Sequence, residues 1–165
     1  MTVLSALIDG VVLSVILYGG IFLMIRINPR IQLHNYPPQV RNAVPPKTAK
    51  EKKLFLILAI PILLLMLAYL IMSFYLKFDH SITYINVLLY CAFVYFVMCC
   101  IDLFICDYLI FCTITPKFII ISGTEGNSGY KDKSYHTNTI PGMIIIIIVG
   151  ALLTSLLYFL MKVIA

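Results

Sequence analysis

Residues 84–112 read YINVLLYCAFVYFVMCCIDLFICDYLIFC, an apolar run broken by two aspartates, Asp102 and Asp107, and by no lysine or arginine. A helix rises about 1.5 Å per residue, so this run is roughly 43 Å long as a helix. A bilayer core about 30 Å thick needs roughly 20 apolar residues. The run is long enough to cross with tilt, or with one end projecting. Working outward, three more stretches reach spanning length, at about 3–25, 54–75 and 143–164. The 165-residue chain is 62% hydrophobic and 12% charged, against about half and about a quarter in a soluble domain. The chain reads as one membrane domain, 1–165: all-α and polytopic, with four transmembrane helices. Two long loops, at about 26–53 and 113–141, lie on one side, and a short connection at 76–83 lies on the other.

The first span lacks a basic leader, carries Asp9 and has no small-x-small site after it, so it reads as a retained helix, not a cleaved signal. The net charge of +5 is unevenly placed. The first long loop holds Arg30, Arg41, Lys47, Lys50, Lys52 and Lys53, with Arg26 at its edge; the second holds Lys117, Lys131 and Lys133. Lys77 and Lys162 fall on the other side. The positive-inside rule places both long loops in the cytosol and both termini outside it. Arg26, Arg30, Arg41, Lys47, Lys50, Lys52 and Lys53 then read as anionic-lipid contacts, which argues against a nucleic-acid partner.

In the first span Ala6, Gly10 and Ser14 recur every fourth residue, which puts three small side chains on one helix face as a packing seam. Asp9, near the end of that span, is expected to reach water or a headgroup. Pro29 pushes Asn28 out of the helical region and should end the helix. The stretch 31–46 has two proline pairs, and its apolar residues Ile31, Leu33 and Tyr36 look too sparse for a core. Thr48 and Glu51 have capping-box spacing, so the second helix should begin near Ala49. Pro61 inside it predicts a kink. The short connection at 76–83 predicts that the second and third helices are antiparallel neighbours. In the second long loop the run 118–121 reads as a short strand or an interfacial segment, residues 123–129 as a glycine turn, and Thr139-Ile140-Pro141 as a helix start.

Asp102 is the first candidate for chemistry, because acidic residues at membrane depth tend to mark pathways or ligand sites. The competing reading is a structural hydrogen bond or an ion pair with Arg26 or Arg30. Asp107 is five residues on, about 140° round an α-helix, so the two carboxylates should not share a face. A second candidate set, His34, Glu125, Asp132 and His136, lies in the two long loops and has imidazole and carboxylate groups suited to acid–base work. Its spacing matches no metal-ligand pattern. His80 falls on the other side. Gly123-Thr124-Glu125-Gly126 lacks the lysine and hydroxyl of a phosphate loop. The five cysteines, Cys91, Cys99, Cys100, Cys106 and Cys112, all lie in the third helix; they read as small apolar residues, with Cys112 a candidate for lipidation at the membrane edge. No cofactor or metal site is expected.

Through Asn28-Pro29-Arg30, Tyr36-Pro37, Pro45-Pro46-Lys47-Thr48 and the run from Asp102 to Tyr130, with its Gly-Thr-Glu-Gly and Gly-Tyr-Lys-Asp motifs, the chain resembles a group of small bacterial four-helix membrane proteins. The resemblance implies a bacterial inner-membrane protein. No activity is attached to that group, and no catalytic residue carries over.

Functionally, the sequence leans away from an enzyme. It favours an accessory or structural subunit of a membrane assembly, acting as a homo-oligomer or beside a membrane-protein partner. A membrane enzyme acting on a lipid or isoprenoid at the cytosolic interface is the second reading, and a small transporter or channel the third.

Overall fold

The computed structural model describes residues 2–78 and 81–164; His80 lies outside them. Helix α1, Val3–Ile27, opens on a capping box between Thr2 and Ser5. Asn28 is extended (φ −159°, ψ 110°) before Pro29 and stops the helix. The Asn28 side chain accepts from the Arg30 N–H at 2.9 Å and starts a 3₁₀ helix, Pro29–Asn35; helix α2, Pro38–Arg41, follows. Helix α3, Ala49–Lys77, begins on the Thr48–Glu51 capping box and continues through Pro61. Helix α4 is α-helical over Tyr84–Cys100 and π-helical over Ile101–Ile114. Two 3₁₀ turns, Lys117–Ile119 and Ser128–Lys131, precede α5, Lys133–Thr137, and α6, Ile140–Ile164. Four helical stretches, Val3–Ile27, Ala49–Lys77, Tyr84–Ile114 and Lys133–Val163, are long and apolar enough to cross a membrane.

Helix α1 packs on both α3 and α4, and α4 packs on α6. Helices α3 and α4 share side-chain clusters: Phe74 packs with Val87, the Phe78 ring stands edge-on to Tyr90 at 5.2 Å, and Met66 and Tyr69 belong with Val94 and Met98. Glycines on α1 account for its central place. A Cβ on Gly10 would lie 2.7 Å from Val97 Cβ on α4, and one on Gly20 would collide with Ile62 on α3. Ala6 and Ser14 are buried on the same helix, and Ser14 donates back to the Gly10 carbonyl at 2.7 Å.

Asp9 does not reach water as expected: it is 1% exposed. Its carboxylate accepts from Tyr69 at 2.7 Å, Ser73 at 2.5 Å and Tyr90 at 2.6 Å, and it pairs with Lys77. Helix α1 is thereby tied to α3 and α4 near the chain's termini. Outward, Leu63, Leu64 and Leu65 of α3 and Ile144, Ile145 and Ile146 of α6 are exposed. An apolar exterior of this kind suits lipid, not water.

At the opposite end the two long loops share one core, formed by Leu33, Tyr36, Val40, Ile119, Ile121 and Tyr130 over Ile25, Phe111 and Cys112. The Tyr36 hydroxyl donates to the Ile119 carbonyl at 2.8 Å, and Asn127 Nδ2 donates to the Gln39 carbonyl at 3.2 Å. Residues too sparse for a core within one loop become dense when the other loop supplies the rest. Among the described residues there is no strand. The 118–121 run instead satisfies its backbone locally, Ile119 N–H to the Pro116 carbonyl and Ile120 N–H to that of Lys117, and buries Ile119 and Ile121. The turn that follows needs glycine at Gly123 (φ 85°) and Gly126 (φ 78°), where other residues are strained. Cys112 is 3% exposed beneath this cap, which withdraws it as an accessible lipidation site.

Candidate functional site

Beneath the loop cap lies a cavity of about 490 Å³. It runs from Leu17 and Met66 in the bundle to Gln32, Tyr36 and Thr139 under the loops, and Asp102, Asp107 and His136 line it. A larger opening of about 620 Å³ at the other end has Lys77 in its wall, but that ammonium is committed to Asp9.

The π-helical half of α4 explains why both aspartates line one cavity. In a π-helix each bond spans five residues, as in the Thr115 N–H to Ile110 carbonyl bond of 2.9 Å. Residues five apart therefore return to the same side. The expectation that Asp102 and Asp107 face apart assumed α-helical winding and is corrected here. Thr115 closes the helix in the left-handed region (φ 45°), its hydroxyl donating to the Phe111 carbonyl at 2.8 Å.

His136 is delivered by α5. Asp132 starts that helix by accepting from the Tyr135 N–H at 3.1 Å, and the imidazole packs edge-on to Phe111 and Tyr135. His136 is 4% exposed, and its Nδ1 lies 3.0 Å from Asp107 Oδ2. Its Nε2 is buried with no hydrogen-bond partner among the described residues. A neutral ring that donates Nδ1–H to a carboxylate carries a basic lone pair on Nε2. Asp107 stands where it can hold the ring in the orientation a general base requires.

Of the sequence candidates, Asp102, Asp107 and His136 come together. The other loop residues do not join them. His34 meets Lys47 Nζ at 3.2 Å and stands against Phe55; Glu125 accepts from the Gly123 N–H; Asp132 caps α5. Burial first, then the charges of Lys47 and Arg41, lower the His34 pKa below its ordinary value. Burial followed by the neighbouring Tyr130 raises that of Tyr36, so its hydroxyl keeps the proton it donates to Ile119. The anticipated pairing of Asp102 with Arg26 or Arg30 does not form. Arg30 pairs with Glu51 at 2.6 Å and also donates to the Pro45 and Pro46 carbonyls, while Arg26 lies over the Phe118 ring. Lys47 also turns inward, to the Ile31 carbonyl at 3.0 Å, whereas Arg41, Lys50, Lys52 and Lys53 stay exposed. Among the described residues no three His, Cys, Asp or Glu side chains cluster closely enough to hold a metal ion.

Sequence reasoning missed Tyr18, Gln32 and Asn35, which also line the cavity. Tyr18 is one aromatic among many in an apolar span, and no spacing marks it. No family model matches the chain, and neither a curated protein nor a solved structure matches it.

Proposed function

We propose that this chain is a multi-pass membrane enzyme that takes an amphiphile into the cavity beneath its loop cap. His136 is its general base, Asp107 the carboxylate that orients the ring, and Asp102 a second carboxyl group in the cavity wall. The observation that carries the proposal is the buried Nε2 of His136, unpartnered beside Asp107. Buried polar atoms nearly always have a partner, and the exception here belongs to a residue that lines a cavity of small-molecule size. The remaining wall, with Leu17, Met66, Met98 and Ile146, suits an apolar tail. This ranks the enzyme reading above the accessory-subunit reading. The latter keeps its own support in the apolar outer faces of α3 and α6, which stay exposed among the described residues. By the positive-inside rule we place the loop cap in the cytosol and both termini outside it, in a bacterial inner membrane.

The test compares lipid profiles of membranes holding wild type or His136→Gln at matched abundance, by mass spectrometry. The proposal requires at least one lipid whose amount changes with the wild-type protein and not with the variant. Identical profiles from two folded proteins would falsify it.

A further inference from the structure

Resting on the reading of this cavity as a ligand site, we infer that the head it accepts is a protonated amine carried on an apolar tail, not a phosphate or a carboxylate. The carboxyl and imidazole side chains in the wall are Asp102, Asp107 and His136, and among the described residues no lysine or arginine lines the cavity. An anionic head would meet two aspartates with no lysine or arginine to offset them. The wall's hydrogen-bond donors point the same way, because most are committed within the protein. Tyr18 donates to the Met98 carbonyl at 3.3 Å and Tyr36 to that of Ile119 at 2.8 Å. Asn35 Nδ2 donates to Gln32 Oε1 at 3.2 Å, and Thr139 donates to the His136 carbonyl at 2.6 Å. Asp102 lines the wall outside these bonds, and His136 lines it as well, 4% exposed and with no partner at its buried Nε2 among the described residues. A ligand complementary to acceptors and negative charge brings N–H donors and positive charge. A primary ammonium brings both. The volume of about 490 Å³ falls within the roughly 300–1,000 Å³ of small-molecule sites.

The experiment uses the full chain in lipid nanodiscs and three probes that share one linear alkyl tail, ending in a primary ammonium, a phosphate or a hydroxyl. Binding is measured by native mass spectrometry and by protection of Cys99, which lines the cavity, from a small membrane-permeant alkylating reagent. The alkylammonium is expected to bind at least tenfold more tightly than the alkyl phosphate and to slow Cys99 modification, and Asp102→Asn should remove that preference. Cys99 protection in the unmodified protein decides the matter if Asp102→Asn does not fold. Tighter binding by the phosphate or the alcohol, with loss in His136→Gln, overturns the amine inference and leaves the ligand site standing. If no probe binds in a way that depends on Asp102 or His136 or protects Cys99, both fall.

Discussion

A carboxylate buried in a helix bundle is tolerated when its charge and its lone pairs are both matched. Asp9 meets both conditions, with Lys77 for the charge and Tyr69, Ser73 and Tyr90 for the remaining acceptor sites. Removing the carboxylate strands three hydroxyls and an ammonium at once, so Asp9→Ala should cost about 3 kcal/mol of stability. Lys77→Ala should cost less, because its side chain is 32% exposed and Asp9 keeps its hydroxyl donors. The double variant should fall short of the sum of the two losses by about 1 kcal/mol. Thermal unfolding in one detergent measures all three, and strictly additive losses would show that the pair does not act as a unit. His136 differs in kind, since one of its two nitrogens is matched and the other is not. That asymmetry separates an anchor from a site. It was not legible in the sequence, where Asp9 is one polar residue in an apolar run and His136 one of many polar residues in a loop.

At the scale of elements, hydropathy and caps announced the helices well. The expected 3–25 is Val3–Ile27, and the Thr48–Glu51 spacing marked the start at Ala49. Winding was not announced. A change from α to π within one apolar run alters no residue type, yet it decides whether Asp102 and Asp107 face together. Helix order was not announced either, because it depends on which small residues meet a partner. Gly10 and Gly19 share α1 and make this testable. A Cβ on Gly10 meets Val97 Cβ at 2.7 Å and the Val94 carbonyl oxygen at 3.1 Å, while one on Gly19 meets nothing within 4 Å. Gly10→Ala must push α1 and α4 apart and should destabilise by about 1–3 kcal/mol. Gly19→Ala removes a backbone entropy penalty and should stabilise by about 0.5–1 kcal/mol. Opposite shifts in unfolding temperature are expected; shifts of the same sign would show that the α1–α4 contact is looser than this packing requires.

For the molecule as a whole, the membrane body and the loop cap answer to different physics. The body presents apolar side chains outward and ties its helices through close approach and through Asp9. The cap buries its apolar side chains inward, and it does so by combining two loops that are far apart in sequence. Tyr36 is the joint: it is 1% exposed, it packs on Phe111 and Tyr130, and its hydroxyl reaches Ile119 in the other loop. The cap is also the roof of the cavity, because Gln32, Tyr36 and His136 come from it or from the segment it holds down. Truncating Tyr36 should therefore act at a distance in sequence. Tyr36→Ala loses a buried aromatic worth roughly 3–5 kcal/mol, loosens the 113–141 loop and uncovers Cys112, which shares that core. In a protein whose other four cysteines are replaced by alanine, a polar thiol reagent should label Cys112 at least tenfold faster in Tyr36→Ala than in the parent. Tyr36→Phe keeps the ring and loses the bond to Ile119, and it should fall between them. If labelling of Cys112 does not change in Tyr36→Ala, the two loops do not depend on each other, and the roof of the cavity is held by α4 and α5 alone.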